Sequence, residues 1–413
     1  MKILWFTNTC SLYDKNNNSY NGGGWIESLE KIIGVHPEIE LGISFFHQDK
    51  CFKKQIGKTT YYPIPLYSSK LQKAKRLTLL HNDKKEISYY LSVVNDFKPD
   101  LIHVFGSEQS FGLLGKHTKV PLVIHLQGIL NPCLNAYYAP GYSSLDIVKN
   151  NILHPIKLLL NQYGFKKFKY NASREAIILS SCKFFMGRTD WDKNISELYA
   201  PNSNYFNCGE ILRDIFYQIE PWRRSEKTTF KIISTISKAT YKGFDLILKT
   251  ARLLVDLGDI DFEWNVYGVS EYIEWEKKLN IKCNKVNINL KGVVNSVTLA
   301  NNIKESDVFI HPSYIDNSPN SVCEAQIIGI PVIAANVGGL SSLITNSTTG
   351  ILVPANDPFT LAKKIIDLKN ATEYPTSLGK HARETALIRH NKITICNTLL
   401  SIYKNIIDAE NIN

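Results

Sequence analysis

The 413-residue chain is long enough to form two domains of ordinary size, each with its own core. Its apolar content of 44% and charged content of 21% are typical of a globular protein and argue against a disordered one. The formal net charge of +10 would suit pyrophosphate, anionic lipid or nucleic acid. Because the sequence shows no RNA- or DNA-binding motif and no long basic run, we expect no nucleic acid partner.

The start of the chain and its cysteines favour a cytoplasmic protein. Met1 and Lys2 lead into an apolar run that is too short for the core of a signal peptide. No uninterrupted apolar run reaches the roughly 18 residues of a membrane span. The eight cysteines include no Cys-x-x-Cys pair, and the ten histidines lack metal-ligand spacing. We therefore expect reduced, buried thiols and no metal site.

In chain order, the first predicted strand is 2–7, and a glycine-rich loop follows it. Residues 21–24 read Asn-Gly-Gly-Gly, and apolar residues then recur at helical spacing from Trp25. Glycines before a helix let the backbone approach a ligand closely, although a flexible surface loop has the same composition.

Alternating helical and extended stretches then predict a Rossmann-like domain. Leu101 to Phe105 and Pro121 to Ile124 are predicted strands, and His125 follows the second strand directly. The carboxyl ends of strands are where α/β proteins bind ligands, so His125 is a candidate site residue. A lone histidine at a strand end is more often structural, and both interpretations remain open.

Residues 153–182 are predicted to be helical, with lysines interleaved among leucines and phenylalanines. A basic amphipathic face of this kind could lie on an anionic membrane. A solvated helix face is the alternative. Peripheral contact with the inner face of the cell membrane through 153–182 is therefore a hypothesis that this pattern leaves open.

The polar segment 216–229 contains one proline and several charged residues, and it is predicted to link the two domains. The second domain then opens with a predicted strand from Phe230 to Thr235 and a loop that ends in Lys242-Gly243. Two later predicted strands, 263–267 and 286–290, end near Gly268 and Gly292. This places the first domain at 1–215 and the second at 216–395.

The most informative stretch of the chain is 311–333. A strand that ends at His311 is followed by a loop and then by a helix, with Ser318 as the predicted N-cap. Pro319 suits the first helical turn, and Gly329 suits the helix end. This strand, loop, helix and following strand form the repeating unit of a parallel α/β sheet.

The start of this helix is suited to bind phosphate. The first amides, around Asn320 and Ser321, have no intrahelical partner, and the helix dipole adds positive charge. Asp316 and Glu324 flank the phosphate site, and carboxylates there suit the hydroxyl groups of a sugar. The sequence therefore suggests a nucleotide-sugar site. An ordinary capped helix with a solvated Glu324 is the alternative.

Asp316 and Glu324 are eight positions apart, and the pattern continues through GIPVIA at 329–334, VGGL at 337–340 and TGILVP at 349–354. In these features the chain resembles the retaining glycosyltransferases of family 4. The resemblance implies the α/β fold named GT-B, with two Rossmann-like domains facing across a cleft. It also implies that the C-terminal helix crosses back, so that 396–413 would complete the first domain.

The resemblance further implies roles for single residues. Glu324 would hold the nucleotide ribose, while Asp316 and His125 would position the donor sugar as catalytic residues. Lys242, also catalytic, would clamp the diphosphate. Further donor contacts would come from Gly23, Gly24, Ser237, Lys238, Asn317, Ser318, Asn320, Ser321 and Val322. The base would lie between Gly268 and Gly292.

Two residues depart from the family pattern. The family usually has Glu where this chain has Asp316, and Arg where it has Ser237, so Lys238 is the candidate for the second cation. We expect a metal-independent, retaining transfer of sugar from a nucleotide diphosphate donor, with UDP favoured, to a glycan or lipid-linked oligosaccharide in bacterial surface polysaccharide synthesis. The alternatives are a UDP-sugar epimerase of the same fold and an inactive nucleotide-sugar-binding protein.

Overall fold

The computed structural model describes residues 1–13, 24–47, 52–65, 83–151, 155–224 and 228–411. The chain forms two compact units, each assembled from separate stretches of sequence. Unit 1 comprises Met1–Leu134, His154–Ile211 and His390–Asn413, and unit 2 comprises Asn135–Leu153 and Leu212–Arg389. In the described part of the chain, no helix is both long enough and apolar enough to span a bilayer.

Unit 1 is built on a sheet of eight described strands. They are β1 (Lys2–Thr7), β2 (Glu40–His47), β3 (Lys54–Ile56), β4 (Thr59–Pro65), β5 (Leu101–Phe105), β6 (Leu122–His125), β7 (Phe184–Gly187) and β8 (Asn204–Asn207). Their order is β3-β4-β2-β1-β5-β6-β7-β8. All neighbours pair in parallel except β3 and β4, which form an antiparallel pair at one edge. The central strands β1 and β5 are mostly apolar and are buried along nearly their whole length, as expected for strands covered on both faces.

Unit 2 is built on a second, fully parallel sheet of six described strands. They are β9 (Phe230–Thr235), β10 (Phe262–Tyr267), β11 (Ile288–Gly292), β12 (Val308–His311), β13 (Val332–Ala335) and β14 (Ile351–Val353). Their order is β11-β10-β9-β12-β13-β14, so the chain moves outward from β9 in one direction and then outward from β12 in the other. Both units are therefore Rossmann-like.

The described helices follow the strands of both units, as parallel pairing requires. In chain order they are α1 (Gly24–Ile33), α2 (Asp83–Phe97), α3 (Leu130–Asn135), α4 (Ser144–Asn151), α5 (Pro155–Ser180), α6 (Asp190–Tyr199), α7 (Asp214–Gln218), α8 (Phe244–Leu257), α9 (Ile273–Leu279), α10 (Ser296–Lys304), α11 (Asn320–Ile328), α12 (Leu340–Leu343), α13 (Pro358–Asn370), α14 (Tyr374–Arg389) and α15 (Lys392–Asn411). Short 3-10 turns occur at Ser11–Tyr13, Ser110–Lys116, Thr240–Lys242 and Cys283–Lys285.

The C-terminal helix α15 packs into the core of unit 1. Its apolar side chains recur every three or four residues, so that they form one buried stripe. Tyr403 in this stripe is fully buried, and its hydroxyl accepts a hydrogen bond from Trp5 Nε1 at 3.0 Å. His103 Nδ1 lies 2.6 Å from the same oxygen. Helix α15, at the end of the chain, therefore packs against strands β1 and β5, which come from its first part.

The predicted domain boundaries differ from the observed units at three places. Residues 135–153 were assigned to the first domain, but they lie in unit 2, because Tyr142 packs on Trp275 there and Asp146 pairs with Lys278. The chain enters unit 2 at Leu212 and leaves it after Arg389.

The predicted linker 216–229 is also wrong over its described residues, 216–224 and 228–229. Residues 214–218 form α7, and the buried Trp222 donates a hydrogen bond from Nε1 to the Ser306 carbonyl at 2.6 Å. Charged and polar residues suggested a linker, but the apolar side chains among them pack on unit 2.

Candidate functional site

The residues predicted to bind the donor phosphates meet at the centre of the unit 2 sheet. Strand β9 pairs with β10 on one side and with β12 on the other. The loop after β9 leads through α8 to β10 on one side of the sheet, and the loop after β12 leads through α11 to β13 on the other side. In open α/β sheets, ligands bind beside the carboxyl ends of strands where the chain direction switches in this way.

Each of these two loops contributes one charged side chain to a contact. Lys242 Nζ donates a hydrogen bond to Asp316 Oδ2 at 2.6 Å, and His311 Nε2 lies 3.1 Å from the same oxygen. Burial alone would raise the pKa of Asp316, but the Lys242 ammonium and His311 outweigh it and hold that pKa well below its usual range. Asp316 is therefore ionised at neutral pH, and Lys242 is fixed beside it.

Two glycines allow the backbone to bring these loops together. Gly243 has a φ of 77°, and a side chain there would overlap the Pro312 carbonyl. Gly338 has a φ of 54°, and a side chain there would overlap the Asp316 carbonyl, which accepts a hydrogen bond from the Gly339 amide at 3.0 Å. The small residues of the VGGL stretch thus pack against the backbone of Asp316 and bond to its carbonyl.

Helix α11 begins one residue later than the sequence suggested. Pro319, not Ser318, occupies the N-cap position, because the amides of Val322 and Cys323 bond to the Pro319 carbonyl at 3.0 and 3.3 Å. Pro319 has no side chain that can cap the helix, so the amides of Asn320 and Ser321 at its start lack an intrahelical partner. These amides and the helix dipole favour an anion at this end of the helix.

Three buried polar atoms near the carboxyl ends of β9 and β12 have no hydrogen-bond partner among the described residues. They are Thr235 Oγ1, His311 Nδ1 and Ser313 Oγ. Buried polar groups are almost always satisfied in folded proteins, by protein atoms, water or a ligand. Their concentration beside Lys242 and Asp316 is consistent with a polar ligand bound at this place.

Glu324 is paired with a residue that sequence reasoning missed. Arg213 donates from Nε and Nη2 to the two carboxylate oxygens of Glu324, each at 2.8 Å. The Glu324 side chain is only 5% exposed, so the predicted alternative of a solvated Glu324 is wrong. Burial raises the pKa of Glu324 and Arg213 opposes that rise. Nothing in the sequence around Arg213 signalled this pairing, since it depends on α7 packing against α11.

The other predicted donor contacts of unit 2 lie on the same edge of its sheet. Gly268 and Gly292 are hydrogen-bonded to each other through the Gly268 amide and the Gly292 carbonyl at 2.7 Å. Ser237 and Lys238 are exposed, and Lys238 lies 3.7 Å from the exposed Glu271. Asn317, Ser318 and Val322 are buried at the start of α11. Their roles in donor binding stay predictions.

In unit 1, His125 ends β6 and is only 1% exposed. Its ring packs edge-on against Trp25, and neither ring nitrogen makes a well-formed hydrogen bond to a described residue. Burial, and then the nearby Arg188, lowers the pKa of His125 to about 3, so the imidazole is neutral. Gly24 begins α1, whereas Asn21, Gly22 and Gly23 lie outside the described residues. The predicted contact of His125 with the sugar stays a prediction.

Residues 218–385 match the family model described as glycosyl transferases group 1. The match falls within unit 2 and therefore covers the switch point, Lys242, Asp316 and Glu324.

Two bacterial relatives show a likeness of similar extent. The capsular polysaccharide biosynthesis glycosyltransferase CapM of Staphylococcus aureus is 26% identical over 178 residues, which are 43% of each chain. The D-inositol 3-phosphate glycosyltransferase of Paenarthrobacter aurescens is 31% identical over 148 residues, which are 34% of this chain and 36% of the relative. The chain thus matches less than half the length of these relatives.

Solved structures match over nearly the whole chain. Sucrose-phosphate synthase from Thermosynechococcus elongatus has a TM-score of 0.72 at 14% identity, covering 99% of both chains. Anabaena HepE in complex with UDP and glucose has a TM-score of 0.64 at 14% identity, covering 98% of this chain and 99% of the other. At these identities the likeness shows the fold, which is that of the GT-B glycosyltransferases. The sequence likeness to the group 1 glycosyl transferases covers residues 218–385, which is less than half of the chain.

Proposed function

We propose that this chain is a retaining glycosyltransferase. It moves a sugar from a nucleotide diphosphate donor, a UDP-sugar, to a hydroxyl of a glycan or lipid-linked oligosaccharide in bacterial surface polysaccharide synthesis. The observation that carries the proposal is the Lys242–Asp316 pair beside the uncapped start of α11, at the switch point of unit 2. The capsular polysaccharide biosynthesis for which CapM is named supports the choice of pathway, and the UDP and glucose bound to HepE support the choice of donor.

In this proposal the leaving diphosphate is stabilised by fixed positive groups. Lys242 and the amides of Asn320 and Ser321 are held by the fold before the donor arrives, so little reorganisation accompanies the build-up of charge. We propose that these groups make a metal ion unnecessary. Asp316, kept ionised by Lys242, accepts hydrogen bonds from hydroxyls of the donor sugar and orients its ring.

Glu324 keeps the capacity to bind ribose although Arg213 uses both of its oxygens. A carboxylate has about four lone-pair directions, so each oxygen can accept a second hydrogen bond from a ribose hydroxyl. Arg213 also offsets the negative charge of Glu324, which would otherwise repel the diphosphate at the other end of the same helix turn.

For the transfer itself, the donor phosphate accepts the proton of the attacking hydroxyl on the face that the leaving group vacates. The new bond from the acceptor oxygen to the anomeric carbon then forms on the face where the bond to the phosphate oxygen breaks, which retains the configuration. The neutral His125 and Gly24, the first residue of α1, belong to unit 1, which we propose contributes the acceptor side.

We further propose that the protein works in the cytoplasm at the inner face of the cell membrane. The first turns of α5 expose Ile156, Leu159 and Leu160 by 74%, 65% and 53%. They lie at helical spacing on one face, and Lys166 and Lys169 are exposed further along the helix. An apolar helix face with lysines nearby suits an anionic lipid surface that carries a lipid-linked acceptor.

UDP binding measured by calorimetry and by thermal shift, each with and without EDTA, tests the donor site. Ligand at about 100 times its dissociation constant stabilises a protein by about 2.7 kcal/mol. We expect a UDP response that survives EDTA and is lost in Lys242→Ala and Glu324→Ala. Lys304→Ala is the matched control, because Lys304 pairs with Glu220 in the same unit but outside the site.

The results separate the proposal from its alternatives. No response to UDP, GDP, ADP or their sugar conjugates would overturn it. A response that requires a divalent cation would overturn metal independence alone. Binding with neither transfer nor hydrolysis of any UDP-sugar would favour a binding protein, and interconversion of two UDP-sugars without transfer would favour an epimerase.

A further inference from the structure

Residues 135–151, here called the inserted segment, belong to unit 2 although the sequence on both sides of them belongs to unit 1. The segment includes the end of α3 and the whole of α4. Its backbone therefore leaves the first Rossmann-like unit after β6, folds against the second unit, and returns to the first unit through α5.

The inserted segment is anchored to unit 2 by apolar and ionic contacts. Ala139 is 1% exposed and Tyr142 is 8% exposed, and both are part of the unit 2 core. The rings of Tyr142 and Trp275 have centroids 4.9 Å apart. Asp146 Oδ1 accepts a hydrogen bond from Lys278 Nζ at 2.6 Å, while its Oδ2 accepts one from the Ser143 amide at 2.8 Å. The segment is thus an integral part of the unit that carries the phosphate site.

The inserted segment also contacts the loop that carries Lys242. Thr240 begins the 3-10 turn Thr240–Lys242, and its hydroxyl donates a hydrogen bond to the Tyr137 carbonyl of the segment. At the other end of the turn, Gly243 lies so close to the Pro312 backbone that a side chain there would overlap the Pro312 carbonyl. Because Lys242 is two residues from Thr240 in one tight turn, displacement of Thr240 shifts the base of the Lys242 side chain.

A second residue connects the anchor to the same loop. Tyr272 donates a hydrogen bond from its hydroxyl to the Lys238 carbonyl at 2.5 Å, and its ring stacks on Phe244 with centroids 4.7 Å apart. Tyr272, Phe244 and Tyr142 of the segment lie in one apolar cluster. The loop from Ser237 to Gly243 is therefore bonded at Lys238 to Tyr272 and at Thr240 to the inserted segment.

We propose that the inserted segment is a positioning element for the phosphate-binding loop, and that the Thr240–Tyr137 contact fixes the turn that presents Lys242 to the donor diphosphate. This inference rests on the proposed function for its ligand, although the contact itself does not. Thr240 and Tyr137 act through Lys242, so they are positioning residues and not catalytic ones.

Thr240→Val removes the donated hydrogen bond while keeping the shape of the side chain, and Thr240→Ser restores the hydroxyl. Thr250→Val is the matched control, since the Thr250 hydroxyl also donates to a carbonyl of unit 2, that of Leu246, but inside α8. A second pair compares Asp146→Asn, which weakens the anchor, with Glu220→Gln, which weakens an ion pair to Lys304 away from the loop.

The first measurement is hydrogen exchange of the 237–243 amides without ligand. A typical hydrogen bond contributes enough that its loss should accelerate exchange about 3- to 10-fold in Thr240→Val. We expect the same direction in Asp146→Asn, recovery in Thr240→Ser, and no change in either control. Loop exchange equal to the wild type in both Thr240→Val and Asp146→Asn would overturn the proposal.

The second measurement is UDP affinity in the same variants. We expect about 3- to 10-fold weaker binding in Thr240→Val, with recovery in Thr240→Ser. If the wild type binds UDP and Thr240→Val binds it equally well, the loop is not positioned by this contact and the inference fails. If the wild type does not bind UDP, the proposed function fails, and hydrogen exchange still decides whether the segment holds the loop.

Discussion

Glu324 is a buried carboxylate on helix α11, whose start is suited to a diphosphate. The guanidinium group of Arg213 compensates the negative charge of the Glu324 carboxylate. The pair is bidentate, with both distances at 2.8 Å. We predict that Arg213→Met, which keeps the contact with Phe216, destabilises unit 2 by about 1–3 kcal/mol, less than the loss of a fully buried partner because Arg213 is 34% exposed. Chemical denaturation at neutral pH measures the change.

The pH dependence of this loss has a definite sign. Without Arg213, burial raises the pKa of Glu324 further above its unfolded value, so the folded state binds the extra proton. The destabilisation should therefore be smallest below the pKa that Glu324 has in the unfolded state. It should grow as the pH rises through the pKa that Glu324 has in the folded state.

The double variant with Glu324→Gln should recover part of the loss, because no buried charge is left unpaired. Arg252→Met, in an exposed pair with Asp256, is the control and should change stability little. A pH-independent loss would contradict the electrostatic account.

At the scale of elements, apolar runs in the sequence were enough to locate most strands. Strands β1, β5 and β9 were predicted with their observed bounds, since each is a short apolar run with a polar or turn-forming residue at its end. Strand β11 was predicted two residues too early, at 286–290, because the 3-10 turn Cys283–Lys285 shifts its start to Ile288. Asp316 was chosen as a candidate because it lies in the loop between a predicted strand and a predicted helix start, and Lys242 was chosen through the family resemblance.

The inserted segment and Arg213 could not be found in the same way. Residues 135–153 carry three tyrosines and two alanines, which suit a loop as well as a docking surface. The unit on which they pack depends on Trp275 and Lys278, which are more than a hundred positions away. Ser318 was predicted as the N-cap because of its residue type, whereas the extended Pro319 (ψ 118°) places the first turn one residue later. Long-range packing thus determines the unit to which residues 135–153 belong, and backbone geometry determines where α11 begins.

Helix α5 allows a prediction about membranes. Replacing Leu159 and Leu160 together by serine removes two exposed apolar side chains, and we predict at least about tenfold weaker binding to vesicles, given the free energy of burying a leucine. Co-sedimentation with phosphatidylcholine vesicles, with and without phosphatidylglycerol, measures it. Leu198→Ser, at a position 77% exposed on α6, is the control. Equal binding by the wild type and the double variant would exclude this face as the contact.

At the scale of the whole molecule, neither unit is a continuous piece of chain. The chain passes between the units after Leu134, Leu153, Ile211 and Arg389. Unit 1 thus includes the last helix of the chain in its core, and unit 2 includes Ala139 and Tyr142 of the inserted segment in its own. Expressing either half as a contiguous fragment would remove part of its own core, so tests of the donor site require the full chain.

The C-terminal helix gives the prediction for unit 1. Helix α15 buries seven side chains there, at about 1.5–3 kcal/mol each, which is comparable to the whole stability of a domain. Deleting 390–413 should therefore abolish cooperative folding of unit 1. Tyr403→Phe is the milder variant: it leaves Trp5 Nε1 and His103 Nδ1 without their shared partner, at a cost of about 2–3 kcal/mol.

Hydrogen exchange should show this loss of stability as faster exchange in β1 and β5, the strands that carry Trp5 and His103. Tyr374→Phe serves as the control, because the Tyr374 side chain is 38% exposed and its hydroxyl makes a long bond of 3.4 Å to the Ser347 carbonyl. Exposed groups lose little when such a bond is removed, since water replaces it. If Tyr403→Phe left exchange in β1 and β5 at the wild-type rate, the hydroxyl would not hold these strands, and α15 would contribute to unit 1 through apolar packing alone.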